Sequence, residues 1–158
     1  MNGVSCCLFH TKMRDDACAV LQSLENASGL SLLAPTLRNH PLLVSQLIAK
    51  LRNAKNLLDV SLDLFQQEEN DSAFKFLKVL DRIPKLRSLR LYSPKHTSDA
   101  ILPILVASGI HLTQLSITRS IRLARDHHVE TMAQIVRQND RLEHFKLVDP
   151  EIGDDGTI

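Results

Sequence analysis

The chain has 158 residues, 44% of them hydrophobic and 23% charged, with a formal net charge of +1. That balance fits one domain with a real core and excludes disorder as the main state. Near-neutral charge and a 4% aromatic content without tryptophan exclude a strongly basic nucleic-acid binder built on stacking platforms. No run of 18 apolar residues occurs, so no transmembrane helix is expected.

At the N-terminus, Val4 to Phe9 is too short for a signal-peptide core, and no basic stretch precedes it. Cys6, Cys7 and Cys18 are an odd, clustered set, which is no disulfide framework and suits a reducing compartment. The expected location is therefore cytoplasmic. Asp15 to Leu24 reads as a helix with Val20, Leu21 and Leu24 facing inward. Leu30, Leu32, Leu33 and Leu37 form a dense apolar patch that has to pack on a neighbour. Residues 1–40 are expected to be an N-terminal helical cap or degenerate repeat.

From residue 41 the chain alternates between two patterns. Pro41 to Arg52 reads as a helix with Leu43, Leu47, Ile48 and Leu51 inward, and Pro41 suits its first position. Leu57-Leu58-Asp59-Val60-Ser61-Leu62 then reads as a short strand. Ser72 to Ile83 is a second helix, with Phe74, Leu77, Val79 and Leu80 apolar and Asn70 and Asp71 as candidate caps. Leu86 to Leu91 repeats the strand pattern. Ser98 to Ala107 is a third helix carrying Pro103, which predicts a tight start or a bend. Leu112 to Ile117 is the third strand copy, Asp126 to Arg137 a helix with Val129, Met132, Ile135 and Val136, and Leu142 to Leu147 the fourth copy. The copies lie 29, 26 and 30 residues apart. Counting back 27 from Leu57 reaches Leu30, where Leu30 and Leu33 keep half the pattern.

A unit of about 28 residues with one helix and one strand cannot bury its own apolar face and must stack on its neighbours. Strands alternating with helices predict a parallel sheet. Strands stack at ~4.8 Å and helices at roughly 10 Å, so the stack should curve with its strands on the concave side.

These four copies resemble the leucine-rich repeat family, in its ribonuclease-inhibitor-like subclass with a helix in each repeat. The resemblance covers residues 41–158. Leu147 to Gly156 looks like that subclass's passage from strand to helix, so the last repeat is expected to be incomplete and the native array either continues or closes on a shortened repeat. The resemblance implies an α/β leucine-rich-repeat solenoid. After each strand the family usually carries Asn or Cys, where this chain has Phe65, Pro94, Ser120 and Pro150. That departure puts regular loop geometry in question.

Alternation along each strand sends the residues between the apolar positions to the other face. They are Asp59, Ser61 and Asp63; Ser88, Arg90 and Tyr92; Gln114, Ser116 and Thr118; and His144, Lys146 and Val148. Side by side they make two polar rows, Ser61-Arg90-Ser116-Lys146 and Asp63-Tyr92-Thr118-Val148. Tyr and Arg are common interface anchors, and the resemblance implies that the concave face binds a protein partner without catalysis. The alternative expectation is a target-selecting fragment of a larger effector, ubiquitin ligase or immune sensor. No nucleic acid, membrane, small-molecule substrate, metal or cofactor is expected. Arg119, Arg122 and Arg125 could line one edge for an acidic partner, or lie solvated in a loop. Cys6, Cys7, His10 and Cys18 fit no zinc spacing. His127-His128-Val129-Glu130 lacks the Pro-Cys-x-x-Cys that a zinc deaminase requires.

Overall fold

The computed structural model describes residues 5–8, 21–32, 41–64, 72–92, 98–107, 110–118 and 126–148. Strands β1 (Ser5–Leu8), β2 (Gly29–Leu32), β3 (Asp59–Asp63), β4 (Ser88–Tyr92), β5 (Gln114–Thr118) and β6 (His144–Val148) form one sheet. Their order in the sheet is their order in the chain, and every neighbouring pair is parallel. Helices α1 (Pro41–Leu51), α2 (Ser72–Leu77), α3 (Ser98–Ala107) and α4 (Asp126–Gln138) lie between consecutive strands from β2 onward. The fold is α/β with an all-parallel sheet.

Parallel neighbours need a crossover each. Crossovers of the usual right hand between strands in sequential order all fall on the same face of the sheet. Burial agrees with that geometry. Val60, Leu62, Leu89, Leu91, Leu115 and Ile117 are at most 1% exposed and share one core with Leu47, Phe74, Ile101 and Ile135 from the four helices. The alternate residues Asp59, Arg90, Tyr92 and Gln114 are open to solvent. Most all-parallel sheets are covered on both faces; this one has a polar face left open.

Register is held by a contact that recurs from unit to unit. The carbonyl of Ser28 accepts from the N–H groups of Leu58 and Asp59 at 2.9 and 3.1 Å. The Leu58 carbonyl does the same for Arg87 and Ser88, the Arg87 carbonyl for Thr113 and Gln114, and the Thr113 carbonyl for Glu143 and His144. Just upstream, the N–H of Ala27, Leu57, Leu86 and Leu142 donates to the carbonyl three residues back. β2, β3, β4 and β6 thus begin from the same closed turn, and β3 to β6 are each pinned to the strand before.

Most helices stand where the periodicity puts them. α1 buries Leu43, Val44, Leu47 and Leu51, and α3 runs through Pro103. The helix expected over 72–83 is instead split into α2 and a 3-10 turn, Leu80–Arg82. Phe74, Phe76, Leu77, Val79, Leu80 and Ile83 are all buried, and six apolar residues at that spacing do not fit one helical stripe. Tightening the backbone after Lys78 turns the last three inward. Ile83 is extended (φ −87°, ψ 107°), the conformation that a following proline, here Pro84, enforces.

Four further features differ from the expectations drawn from the sequence. β1 pairs with β2, so the sheet runs on into the first 40 residues. The degenerate copy is displaced by three residues, because Leu30 pairs with Val60 and not with Leu57. Ala27, fully buried, holds the position of Leu57, and a single methyl concealed the copy in the sequence. On α4, Met132 and Ile135 are buried while Val129 and Val136 are exposed. Phe145 is 42% exposed, although its row partners Leu89 and Leu115 are closed off. β6 is the outermost strand, and no further unit stacks on it among the described residues.

Candidate recognition face

The open face is a grid set by the pairing register. Its first row is Asp59, Ser88, Gln114 and His144; its second is Ser61, Arg90, Ser116 and Lys146; its third is Asp63, Tyr92, Thr118 and Val148. Gly29 and Ser31 of β2 extend the first two rows, positions the sequence reading did not reach because it misplaced that copy. Neighbours along a row belong to adjacent strands about 4.8 Å apart. β3, β4 and β5 are fixed by ladder bonds on both sides and β6 by its ladder to β5, so the grid is held in register before any partner arrives.

The grid is uneven in height and charge. Arg90, Tyr92, Gln114, His144 and Lys146 are exposed, whereas Ser61, Ser116, Thr118 and Asp63 are half-buried. Ser88 departs from the expectation of a contact residue: it is 4% exposed, its short side chain lying low between two longer neighbours in the row. In the second row the short Ser116 lies between the long Arg90 and Lys146, and the face there has a hollow of about 340 Å³. Arg90, Tyr92, Ser116, His144 and Lys146 are among the residues that line it. Among the described residues the carboxylates of the face are Asp59 and Asp63, which stand on β3 outside the hollow.

Other surface features are smaller in promise. A hollow of about 540 Å³ at the helix-to-strand turns is lined by Glu25, Asn26, Asn53, Lys55, Asn56 and Lys85. A groove of about 350 Å³ between Lys78 and α3 is lined by Pro103, Ile104 and Ala107. His111 and Asp140 sit 3.9 Å apart on two successive turns, both well exposed, so this pair adds little stability.

Sequence reasoning missed one structural residue that positions the face. Asn139 is 7% exposed. Its Oδ1 accepts from the Leu112 N–H at 2.6 Å, and its Nδ2 donates to the Ile135 carbonyl at 2.7 Å. It closes α4 and ties that unit to the start of the β5 unit. The one available signal was its place three residues before Leu142, where the equivalent Leu24, Ala54 and Ile83 are apolar.

Several candidate residues lie outside the described residues: Phe65, Pro94, Ser120 and Pro150 after the strands, the arginines 119, 122 and 125, and His10 and Cys18. Cys6 and Cys7 occupy register positions opposite Leu30 and Ser31. Among the described residues no three His, Cys, Asp or Glu side chains converge as a metal site would require, and no helix is long and apolar enough to cross a membrane. Comparison with family models, curated proteins and solved structures yields no match.

Proposed function

We propose that this chain is a leucine-rich-repeat recognition module of the ribonuclease-inhibitor-like kind, binding a protein partner through the open face of its sheet without catalysis. The observation that carries this reading is the one-sided sheet: six parallel strands in chain order, of which β2 to β5 bury their apolar residues on one face and turn polar ones to the other. A βα unit repeated with crossovers on one side has to stack as a solenoid. The narrower spacing of strands makes it curve, with the polar grid on the concave side. Such a surface loses little conformational freedom on binding, which favours affinity. The odd, clustered cysteines support a reducing, cytoplasmic setting.

The test is a steric block of the face. Ser116→Trp fills the middle of the grid; Lys75→Trp places the same bulk on an exposed helix position. Affinity capture from cell lysate should yield a protein held by the wild type and by Lys75→Trp but lost with Ser116→Trp. Equal capture by all three baits would remove the face from the interaction.

The exposed Phe145 favours a second reading. A residue in a core row that is closed at every inner strand is open at β6, as it would be where a further unit stacks. In that reading this stretch selects the target for a longer effector, ubiquitin ligase or immune sensor, and the activity lies elsewhere in that protein.

A further inference from the structure

We infer that the hollow over Ser116 is a subsite for an acidic segment of the protein partner, in which Arg90 and Lys146 close on carboxylates from opposite sides. This rests on the recognition reading above and adds its chemistry. Arg90 and Lys146 share one row, with Ser116 between them. Two strand spacings put their backbones roughly 10 Å apart, within reach of each other's charged ends across a residue too short to intervene. Both are exposed, and His144 lines the same hollow from the neighbouring row. Among the described residues no carboxylate lines it. The acidic residues of the face among them stand on β3, so the described face is cationic over β4 to β6 and acidic beside it.

The arrangement suits a row of carboxylates better than a phosphoryl group. Compact phosphate sites usually offer converging backbone N–H groups at a helix start or nest. Here the backbone N–H groups of the grid are engaged in the ladder between strands, and only side chains reach outward. A guanidinium and an ammonium spread across the hollow match two side-chain carboxylates of an extended segment. Asp59, exposed on β3, would repel an acidic chain that strayed sideways, which fixes the segment's position. Nucleic acid fits less well, since the face carries acidic residues and one aromatic, Tyr92.

The experiment uses the full chain and fluorescence anisotropy. Probes are fluorescein-labelled twelve-residue peptides of alternating Glu-Ser, alternating Lys-Ser and alternating phosphoserine-Gly, and a twelve-base oligothymidylate. The Glu-Ser peptide should bind saturably and the Lys-Ser peptide should not. Arg90→Gln/Lys146→Gln should weaken binding about tenfold, with an unchanged circular dichroism spectrum. Lys55→Gln/Lys85→Gln removes the same charge from the turn hollow and should change affinity less than about twofold. Equal losses from both pairs, or no saturable binding of the Glu-Ser peptide, would overturn the subsite. Tighter binding of the phosphoserine peptide or the oligothymidylate at equal charge would overturn its assignment to carboxylates. If Ser116→Trp abolishes capture of a protein while the Glu-Ser peptide does not bind, the acidic assignment fails and the recognition reading stands. If Ser116→Trp leaves capture unchanged while the peptide behaves as stated, the reverse holds.

Discussion

Asn139 ties two buried backbone groups with its side-chain amide. Replacing it with alanine strips the Leu112 N–H of the acceptor 2.6 Å away and the Ile135 carbonyl of the donor 2.7 Å away, both in buried surroundings. The Ile135 carbonyl keeps the backbone N–H of residue 139 at 3.2 Å, so the Leu112 N–H is the group left unsatisfied. An unsatisfied buried group costs about 1–3 kcal/mol. The Asn139→Ala variant should therefore lose about 2 kcal/mol. For a chain of this size that is roughly 4–8 °C in Tm. Asn139→Leu removes the same two bonds but fills most of the volume, so it separates hydrogen bonding from the void and should lose at least about 1 kcal/mol, the cost of the one unsatisfied group. With no tryptophan in the chain, urea unfolding followed by far-ultraviolet circular dichroism is the suitable assay. Hydrogen exchange should show the Leu112 amide losing protection in both variants. If both stay within about 0.5 kcal/mol of the wild type, Asn139 is not the tie between these units.

Other outcomes follow from burial and contact. Leu115→Ala should cost about 2–5 kcal/mol and Phe145→Ala under about 1 kcal/mol in the same urea assay, because Leu115 is 1% and Phe145 42% exposed; equal costs would mean that β6 is covered in solution. Lys50→Met should lose about 0.5–1.5 kcal/mol, since the part-buried Nζ donates to the Leu21 carbonyl at 3.0 Å; an unchanged urea midpoint would show that bond to be unimportant. Arg90→Gln/Lys146→Gln should shift stability by no more than about 0.5 kcal/mol, both side chains being exposed; a larger loss would give them a structural role.

The repeat spacing carried most of the fold. Four copies of one apolar pattern located β3 to β6, and strand alternation placed the polar rows in the order the pairing shows. That worked because a period-2 pattern admits one register once one face is buried. It failed at β2, where Ala27 stands in for leucine, and at β1, where Cys6 pairs with Leu30 and holds its place in the pattern. It failed again at residues 72–83, where the apolar residues span too wide an arc for one helical stripe and the chain breaks into α2 and a 3-10 turn. The hollow of the grid was hidden for a different reason. Side-chain height depends on which short and long residues meet across three strands, and that is visible only once the rows are aligned.

The recognition face itself is tested most directly by a photo-cross-linker at single sites. Benzoylphenylalanine placed at Ser61, Ser116 or Thr118 lies on the open face; placed at Gln46, Lys75 or Gln134 it lies on exposed helix positions. Irradiation in lysate followed by mass spectrometry should give one protein adduct shared by the face positions and missing from the helix positions. The same adduct from the helix positions, with none from the face, would contradict the claim that the open side of the sheet is where this protein binds.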